Sequence, residues 1–406
     1  MQFSPETLRF IQEHAQDDVR PLALQAHKYP LVDVPAAIQQ IAGRQAAGEK
    51  IPSWQAVEGI VYPRHLSLEQ CSSELTARYK AELVKGETLT DLTGGLGIDC
   101  AFLAAGFRQA VYVERQEELC EIASHNFPLL GLNHITVCNE DGVKHLEEMA
   151  PVDCLFIDPA RRNEHGGKTV AIADCEPDVA ALEELLLSKA RQVIIKLSPM
   201  LDLTLTIKDM KHVTEAHIVS VNNECKELLL ILEDDNRANN NSPLQANTPS
   251  IPTVCVNITP HSVQRFVFTR EEEQASECSY TDQTGSYLYE PNASLLKAGA
   301  FRCVAKRYGL KKLHPNSHLY TSDTLVEEFP GRVFEISRTC TFNKKEMKEA
   351  LGNIKKANIS IRNFPASVAE LRKRIKMGEG GDDYLFATTL NNNQKLLILG
   401  RKTTHR

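Results

Sequence analysis

The spacing of hydrophobic positions changes near residue 87 of the chain. Before that point, apolar residues recur at helical intervals. A Ser4-Pro5 pair predicts the start of a first helix, residues 33–48 have the pattern of a second, and a capping box at 67–70 begins a third that reaches Val84. We therefore predict that residues 1–70 form an N-terminal helical region.

Beyond residue 87, short β-branched or apolar runs alternate with helical stretches such as Gln116–Phe127 and Asp178–Lys189. This alternation predicts a parallel sheet covered by helices. Only residues 222–226 separate the last two runs. This segment is too short for a helical crossover, so it predicts an antiparallel hairpin. The seven predicted strands are Thr88–Thr93, Ala110–Glu114, Ile135–Asn139, Val152–Asp158, Gln192–Leu197, His217–Val221 and Glu227–Leu232.

The remainder of the chain has a different pattern. Residues 236–252 are rich in Asn, Ser and Pro, which is typical of a linker, and two strands are predicted after them at Thr253–Ile258 and Val263–Phe268. Toward the end, the order strand, helix, strand, helix, strand, strand predicts a compact α+β module. Its elements are Val333–Ile336, Lys344–Ala357, Ile359–Arg362, Ser367–Met377, Tyr384–Thr389 and Lys395–Leu399.

Composition excludes several classes of protein. The 406 residues are 42% hydrophobic and 24% charged, as in ordinary globular proteins. No run approaches the roughly 20 apolar residues of a membrane helix, and the first ten residues lack the pattern of a secretory signal. The 11 cysteines include no C-x-x-C pair, which favours reduced thiols over disulfides or a zinc site. We expect a cytoplasmic protein with no membrane association and no metal.

Charge is distributed unevenly along the chain. Residues 1–296 carry a net charge of −19, whereas residues 297–406 carry +12. A basic C-terminal part favours a polyanionic partner bound at that part of the protein. A solvated basic surface without a partner explains the same charge equally well, so charge alone leaves both interpretations open.

The segment Asp91-Leu-Thr-Gly94-Gly95-Leu-Gly97-Ile-Asp99 leaves a predicted strand and enters a predicted helix. Glycines there let the backbone approach a ligand, and Glu114 at the end of the next strand can accept both ribose hydroxyls of a nucleoside. The alternative is a tight turn beside an exposed glutamate. The G-G-x-G spacing differs from the dinucleotide fingerprint, and a carboxylate at Asp91 suits a cofactor with an amino group better than a pyrophosphate. Both features favour S-adenosylmethionine.

This segment resembles motif I of the class I S-adenosylmethionine-dependent methyltransferases, whose Rossmann-like sheet has seven strands and a terminal antiparallel hairpin. The resemblance implies that the three glycines face the methionine part of the cofactor, that Glu114 binds the ribose, and that Asp141 binds the adenine amino group. Asp141 has an alternative role as the N-cap of the following helix. Three short motifs, around Gly97, Glu114 and Asp158, are also similar to ribosomal RNA guanine-N2 methyltransferases. The implied cofactor-binding set is Asp91, Thr93, Gly94, Gly95, Gly97, Asp99, Glu114, Arg115 and Asp141.

The whole chain resembles a narrower bacterial group of methyltransferases with a ferredoxin-like insert and a C-terminal THUMP-like domain. Segments that carry this resemblance are 71–80, 156–162, 288–301 and 361–365. It implies a methyltransferase domain at 71–235, a linker at 236–252, a ferredoxin-like region at 253–320 and a THUMP-like domain at 321–406. THUMP domains of other enzymes bind RNA, usually transfer RNA, so the resemblance implies ribosomal or transfer RNA as the partner.

The fourth predicted strand ends in Asp158-Pro159-Ala160-Arg161. Methyltransferases of exocyclic amines carry [DNS]-P-P-[YFW] there, because an acidic or amide acceptor and a carbonyl orient the amine hydrogens while proline stiffens the turn. We predict catalytic roles for Asp158, Pro159 and Arg161. Alanine and arginine replace the second proline and the aromatic residue, although a guanidinium can also stack on a base. Uridine C5 chemistry ranks lower, because the tip of the fifth strand, 196–200, has no cysteine.

Basic residues supply the candidate RNA contacts. They are Arg162, Lys168, Arg372, Lys373, Arg374 and Lys376. Such clusters neutralise phosphates without selecting a sequence. The leading hypothesis is an S-adenosylmethionine-dependent methyltransferase of an RNA base, with guanine N2 as the candidate atom. A methyltransferase acting on a protein or small molecule and a non-catalytic RNA-binding protein with the same fold are the alternatives.

Overall fold

The computed structural model describes residues 3–63, 71–161, 171–233 and 250–403. The predicted capping box at 67–70, most of the predicted linker, Arg162 and Lys168 lie outside these ranges. The chain divides into two compact units, residues 1–214 with 228–245 and residues 215–227 with 246–406.

The first unit begins with helices, as the hydrophobic periodicity predicts. Ser4 and Asp33 cap two of them by accepting hydrogen bonds from backbone N–H groups of the first turn. A buried core beneath them contains Ile51, Trp54 and Tyr62 together with Ile98 and Phe127 of the sheet region. The helices are α1 (Pro5–Glu13), α2 (Val19–Leu24), α3 (Val34–Lys50), α4 (Pro52–Gln55) and α5 (Glu74–Glu82).

Parallel strands and helices then alternate, which confirms the α/β prediction. The strands are β1 (Thr88–Asp91), β2 (Gln109–Glu114), β3 (Ile135–Asn139), β4 (Val152–Ile157), the short pair β5 (Ala160–Arg161) and β6 (Cys175–Glu176), and β7 (Ala190–Leu197). Between them lie α6 (Ile98–Ala104), α7 (Glu117–Leu129), α8 (Gly142–Glu148) and α9 (Glu183–Lys189), and α10 (Leu203–Lys208) follows β7. Helix α9 begins later than predicted because the Asp178 carboxylate accepts from the amides of Ala180 and Ala181, which is turn geometry.

The predicted hairpin is present, but the sheet has more strands than predicted. Strands β8 (Val213–Val221) and β9 (Glu224–Glu233) are joined through Asn222 and Asn223, both with positive φ, as a tight hairpin turn requires. Strand β10 (Pro252–Ile258) pairs in parallel with β8 and antiparallel with β11 (Val263–Thr269). The sheet order is β11-β10-β8-β9-β7-β4-β1-β2-β3, which is nine strands instead of the expected seven. The sheet is larger because β10 pairs along the edge that β8 would otherwise expose.

The second unit contains a separate seven-stranded sheet in the order β13-β14-β12-β15-β18-β17-β16. Its strands are β12 (Tyr287–Pro291), β13 (Lys311–Lys312), β14 (Tyr320–Ser322), β15 (Gly331–Thr341), β16 (Asn358–Arg362), β17 (Asp383–Thr389) and β18 (Lys395–Lys402). Its helices are α11 (Arg270–Ala275), α12 (Ala293–Ala298), α13 (Arg302–Arg307), α14 (Lys344–Leu351) and α15 (Val368–Ile375). The element order predicted for the C-terminal module is thus confirmed, although α14 ends earlier than predicted, at Leu351, with Gly352 as its C-cap.

None of the helices in the described ranges is long and apolar enough to span a bilayer. The same ranges contain no group of three His, Cys, Asp or Glu side chains arranged to hold a metal ion. All eleven cysteines are free thiols, as expected.

Candidate functional site

A cavity of about 240 Å³ lies at the carboxyl ends of β1, β2 and β4 in the first unit. The sheet reverses its order between β1 and β4, and open α/β sheets bind ligands at such a switch point. The cavity is lined by predicted site residues and by several that the sequence did not indicate: Leu92, Thr93, Glu114, Arg115, Gln116, Asp141, Gly142, Val143, Leu146, Ile157, Asp158, Ala160, Glu176, Pro177 and Leu182.

The glycine turn is packed tightly against its own sheet. A Cβ atom on Gly94 would lie 2.2 Å from the Tyr112 ring, and one on Gly97 would lie 2.9 Å from Phe127. Gly95 and Gly97 have φ of +54° and +84°, a region that side chains disfavour. The Tyr112 hydroxyl donates a 2.5 Å hydrogen bond to the Gly95 carbonyl. The glycines are therefore required by the turn itself, before any ligand is considered.

Glu114 lines the cavity and also holds the glycine turn. Its Oε2 accepts from the Gly95 N–H at 2.9 Å, and its Oε1 accepts from the Gln116 N–H at 2.9 Å. The residue is only 9% exposed. Oε1 also accepts from the Gln116 side-chain amide at 3.3 Å. Because each carboxylate oxygen has two lone pairs, the remaining acceptor capacity of Glu114 lies on Oε2. Its predicted ribose contact is compatible with this geometry, but replacing it would also loosen the turn.

Asp91 ends β1 in a fully buried position. Its Oδ1 accepts from the Thr93 N–H at 3.0 Å, whereas its Oδ2 has no hydrogen-bond partner among the described residues. Burial raises the pKa of the Asp91 carboxyl well above its usual value, and the carboxylates of Asp99 and Asp158 raise it further. Asp91 does not itself line the cavity, but its unpaired buried oxygen would suit a cationic amino group such as that of S-adenosylmethionine.

Three other predicted cofactor residues have well-defined surroundings. Thr93 accepts a 2.7 Å hydrogen bond from the Asp158 N–H, which ties the tip of β1 to the tip of β4. Asp141 is exposed and caps α8 by accepting from the Val143 and Lys144 N–H groups, so the N-cap alternative holds while the residue also lines the cavity. Arg115 lies 3.8 Å from the Glu176 carboxylate at the rim.

Asp99 lies in a buried network of charges and does not line the cavity. Its Oδ1 is 3.2 Å from the Lys80 ammonium, and its Oδ2 is 3.0 Å from the Lys196 ammonium. The Ser72 hydroxyl donates to the same Oδ2 at 2.7 Å. Lys80 and Lys196 hold the pKa of Asp99 well below its usual value despite the opposing effect of burial. Lys196 then extends to Asp158, whose Oδ2 is 2.5 Å from its ammonium.

Lys196 is a functional candidate that the sequence reasoning missed, and Lys80 shares the Asp99 carboxylate with it. In β7, Lys196 lies between the apolar residues 193–195 and Leu197. Charged residues are rarely buried without a partner, so a lysine inside this apolar run was the signal that the sequence offered. No comparable signal in the sequence indicated that Glu176 and Pro177 line the cavity.

The remaining predicted catalytic residues follow Asp158. Pro159 is buried, and the backbone of Arg161 pairs with Cys175 in the two-stranded β5–β6 ribbon.

The predicted RNA-contacting residues of the second unit occupy one short helix and its end. Lys373, Arg374 and Lys376 are exposed, and the Arg374 guanidinium lies 4.1 Å from the centre of the Phe342 ring. Arg372 is half-buried and lies 3.9 Å from Glu379. Three of the four cations are therefore available at the surface. Phe364 and Tyr384 pack against Phe342 and Phe334.

Comparison with known proteins agrees with this geometry. Family models match at residues 60–163 (protein-L-isoaspartate(D-aspartate) O-methyltransferase), 287–330 (ferredoxin-like domain) and 331–402 (THUMP domain-like). An uncharacterised S-adenosylmethionine-dependent methyltransferase of Mycobacterium tuberculosis H37Rv is 22% identical over 77% of this chain and 80% of its own length. A protein-L-isoaspartate O-methyltransferase of Ignicoccus hospitalis is 30% identical over 30% of this chain and 63% of its own length.

A solved structure titled "putative methyltransferase" from Porphyromonas gingivalis W83 is 36% identical, covers 100% of both chains and has a TM-score of 0.86. The fold and these relatives define an S-adenosylmethionine-dependent methyltransferase, as the sequence predicted. The chain belongs to the family of the Porphyromonas gingivalis protein, with a ferredoxin-like and a THUMP-like domain following the methyltransferase sequence.

Proposed function

We propose that this methyltransferase modifies an exocyclic amine of a base in ribosomal or transfer RNA, with guanine N2 as the candidate atom. The observation that carries the proposal is the setting of Asp158. Its carboxylate is at the cavity, its Oδ2 lies on Lys196, and its N–H is held by Thr93. A residue held at its backbone N–H and at one carboxylate oxygen can orient an amine through the amine's own hydrogens.

Each group of the chain has a defined task in this proposal. S-adenosylmethionine supplies an electrophilic methyl group when bound. Asp91 holds the cofactor's amino group, Glu114 its ribose and Asp141 its adenine. Asp158 accepts a hydrogen bond from the substrate amine and aligns its lone pair, and it is placed to receive the proton that the amine must lose.

RNA is favoured as the substrate by the cations of the second unit. Lys373, Arg374 and Lys376 are exposed on or beside α15, and the chain from residue 297 onward has a net charge of +12. Exposed cations of this density bind phosphates electrostatically. In the proposal, Arg162 and Lys168 add phosphate contacts, and Arg161 stacks on the target base.

A protein acceptor is the second candidate, because the relative from Ignicoccus hospitalis is a protein-L-isoaspartate O-methyltransferase. That enzyme's name specifies a carboxylate as the acceptor. Here the Asp158 carboxylate occupies the cavity, and Lys196 is already shared between Asp158 and Asp99. Two carboxylates in contact repel each other, which favours an amine over a carboxylate acceptor.

The test is transfer of labelled methyl from S-adenosylmethionine to RNA from cells that lack this protein, with and without ribonuclease. We expect ribonuclease-sensitive label, and fractionation of ribosomal and transfer RNA then identifies the target. Label that resists ribonuclease and is found in protein would contradict the proposal and identify a protein as the acceptor.

Asp158→Ala should lower transfer by about 100-fold or more, because a positioned acceptor of this kind contributes that much. Cofactor binding, measured by calorimetry, should persist. Asp209→Ala, an exposed aspartate outside the network, is the matched control. Full turnover by the Asp158 variant would show that the tip of β4 has no role in catalysis.

A further inference from the structure

A second cavity, of about 490 Å³, lies in the second unit among α11, the start of α13 and the loop after β13. It is lined by the rings of Tyr280, Phe301 and His318 and by the cations Arg302 and Lys312. The volume is within the usual range for small-molecule sites. No role described above involves these residues.

Lys312 is buried without a carboxylate partner. Its residue is only 2% exposed, and its ammonium donates to the Pro315 carbonyl at 2.7 Å. The ammonium lies 5.1 Å from the centre of the Phe301 ring. No Asp or Glu of the described ranges lies within ion-pair distance of it. Burial lowers the pKa of Lys312, which reflects the cost of this isolated charge.

Glu273 is the acidic residue on the wall of the cavity, and its two oxygens are already engaged. They accept hydrogen bonds from the backbone N–H groups of Arg302 and Cys303 at 2.8–3.0 Å. The carboxylate therefore fixes the start of α13 and does not neutralise the two cations directly. An anionic ligand would compensate both Lys312 and the exposed Arg302 side chain.

His318 provides a planar and unsatisfied wall. Its ring stacks on Phe301 with centroids 3.6 Å apart and 22° between the planes, and its backbone φ is +52°, which is unusual for a non-glycine residue. Its buried Nδ1 has no hydrogen-bond partner in the part of the chain that the structure describes. Tyr280, 39% exposed, adds a ring at the rim. Stacked rings with an unused ring nitrogen suit a flat heterocycle that forms hydrogen bonds.

We infer that this cavity binds a nucleotide, with its phosphate at Arg302 and Lys312 and its base against the rings of His318 and Tyr280. Such a ligand compensates the buried cation and supplies a partner for His318 at the same time. The same chemistry is offered by a free mononucleotide and by one unit of an RNA chain. The inference does not depend on the proposed methyl acceptor.

Calorimetric titration of the full-length protein tests this inference. The probes are AMP, GMP, CMP and UMP, the matching nucleosides, inorganic phosphate, and short single-stranded RNA with and without a terminal phosphate. S-adenosylmethionine is kept in excess, so that adenine compounds do not report on the first cavity. We expect at least one nucleotide to bind about tenfold or more tightly than its nucleoside. Tighter binding of the oligonucleotide than of any mononucleotide would assign the site to RNA, and the reverse to a free nucleotide.

Three variants make the test specific. Arg302→Ala and Tyr280→Ala, both at the surface, should each weaken nucleotide binding about tenfold while cofactor affinity stays unchanged. Lys306→Ala removes an exposed cation from the same helix without touching the cavity, and should bind as the unmodified protein does. Absence of nucleotide binding, or equal binding by the Arg302 and Tyr280 variants, would overturn the assignment, whatever the outcome of the methyl-transfer assay.

Discussion

Asp91 combines a proposed role in cofactor binding with a cost in stability. Its Oδ2 lacks a partner and its pKa is raised by burial. In the unfolded chain the group ionises near pH 4, whereas the folded protein retains the proton to higher pH. The stability contributed by the protonated group is therefore complete at low pH and is lost as pH rises through the raised pKa.

Asp91→Asn keeps an acceptor for the Thr93 N–H but cannot ionise. We expect cofactor affinity to fall about tenfold or more, because a charge-assisted contact is lost. We also expect the thermal stability of the variant, relative to the unmodified protein, to increase between pH 5 and pH 8. Calorimetry and thermal unfolding at several pH values measure both. Unchanged affinity would exclude Asp91 from the cofactor site.

Lys196 is proposed as the positioning residue of Asp158, and Lys80 provides its control. Both cations contact Asp99, but Lys196 alone of the two contacts Asp158. Each substitution by methionine should destabilise the protein by about 1–3 kcal/mol. Lys196→Met should also reduce kcat about tenfold or more with cofactor affinity retained, whereas Lys80→Met should leave kcat nearly unchanged.

Lys196→Arg distinguishes positioning from simple stability. A guanidinium can also bridge two carboxylates, so we expect partial recovery of kcat relative to the methionine variant. Equal kcat losses in the Lys80 and Lys196 variants would show that the network acts through stability alone.

At the level of elements, helix α15 depends on its first turn. Ser367 accepts from the Glu370 N–H, and the Glu370 carboxylate accepts from the Ser367 N–H, which together form a capping box. A helix of eight residues has little stability of its own, so its cap and its contacts through Leu371 hold it in place.

Ser367→Ala should destabilise α15 by about 1 kcal/mol. Hydrogen exchange of the α15 amides should accelerate about fivefold, while amides of α14 in the same protein serve as the internal control. Unchanged exchange in α15 would show that tertiary contacts, and not the cap, determine its opening.

The strand pattern shows how far element-level reasoning extends. The sequence located β10 and β11 correctly, but not their partners, because the apolar alternation of a strand does not specify which edge it joins. The parallel pairing of β10 with β8 and the resulting nine-stranded sheet depend on residues about 35 positions apart in the chain. The four domain boundaries remain predictions.

At the level of the whole molecule, charge separation predicts a salt dependence. Acidic residues dominate the first 296 positions and basic residues the rest. RNA affinity should therefore fall steeply with salt, with a slope set by the number of phosphates contacted. The triple variant Lys373→Ala, Arg374→Ala, Lys376→Ala should reduce the slope of log K against log salt by about 2.

The matched control removes three exposed cations of the first unit, Arg108, Lys144 and Arg191, each of which is already paired with a carboxylate. Its slope should equal that of the unmodified protein. An unchanged slope in the α15 variant would exclude that helix as the RNA contact.

The sequence by itself determined the local features of this protein: the helical and strand periodicity, the glycine turn at 91–99, the capping box at Ser367, and through them the methyltransferase class and its cofactor. These features depend on residues close together in the chain, where spacing alone fixes geometry. Tertiary structure decided the Lys80–Asp99–Lys196–Asp158 network and the cavity beside Lys312. Lys80 and Lys196 are 116 residues apart, and they meet on one carboxylate because helix packing and strand order bring α5, α6 and β7 together. A local sequence pattern does not show which residues so far apart in the chain come into contact.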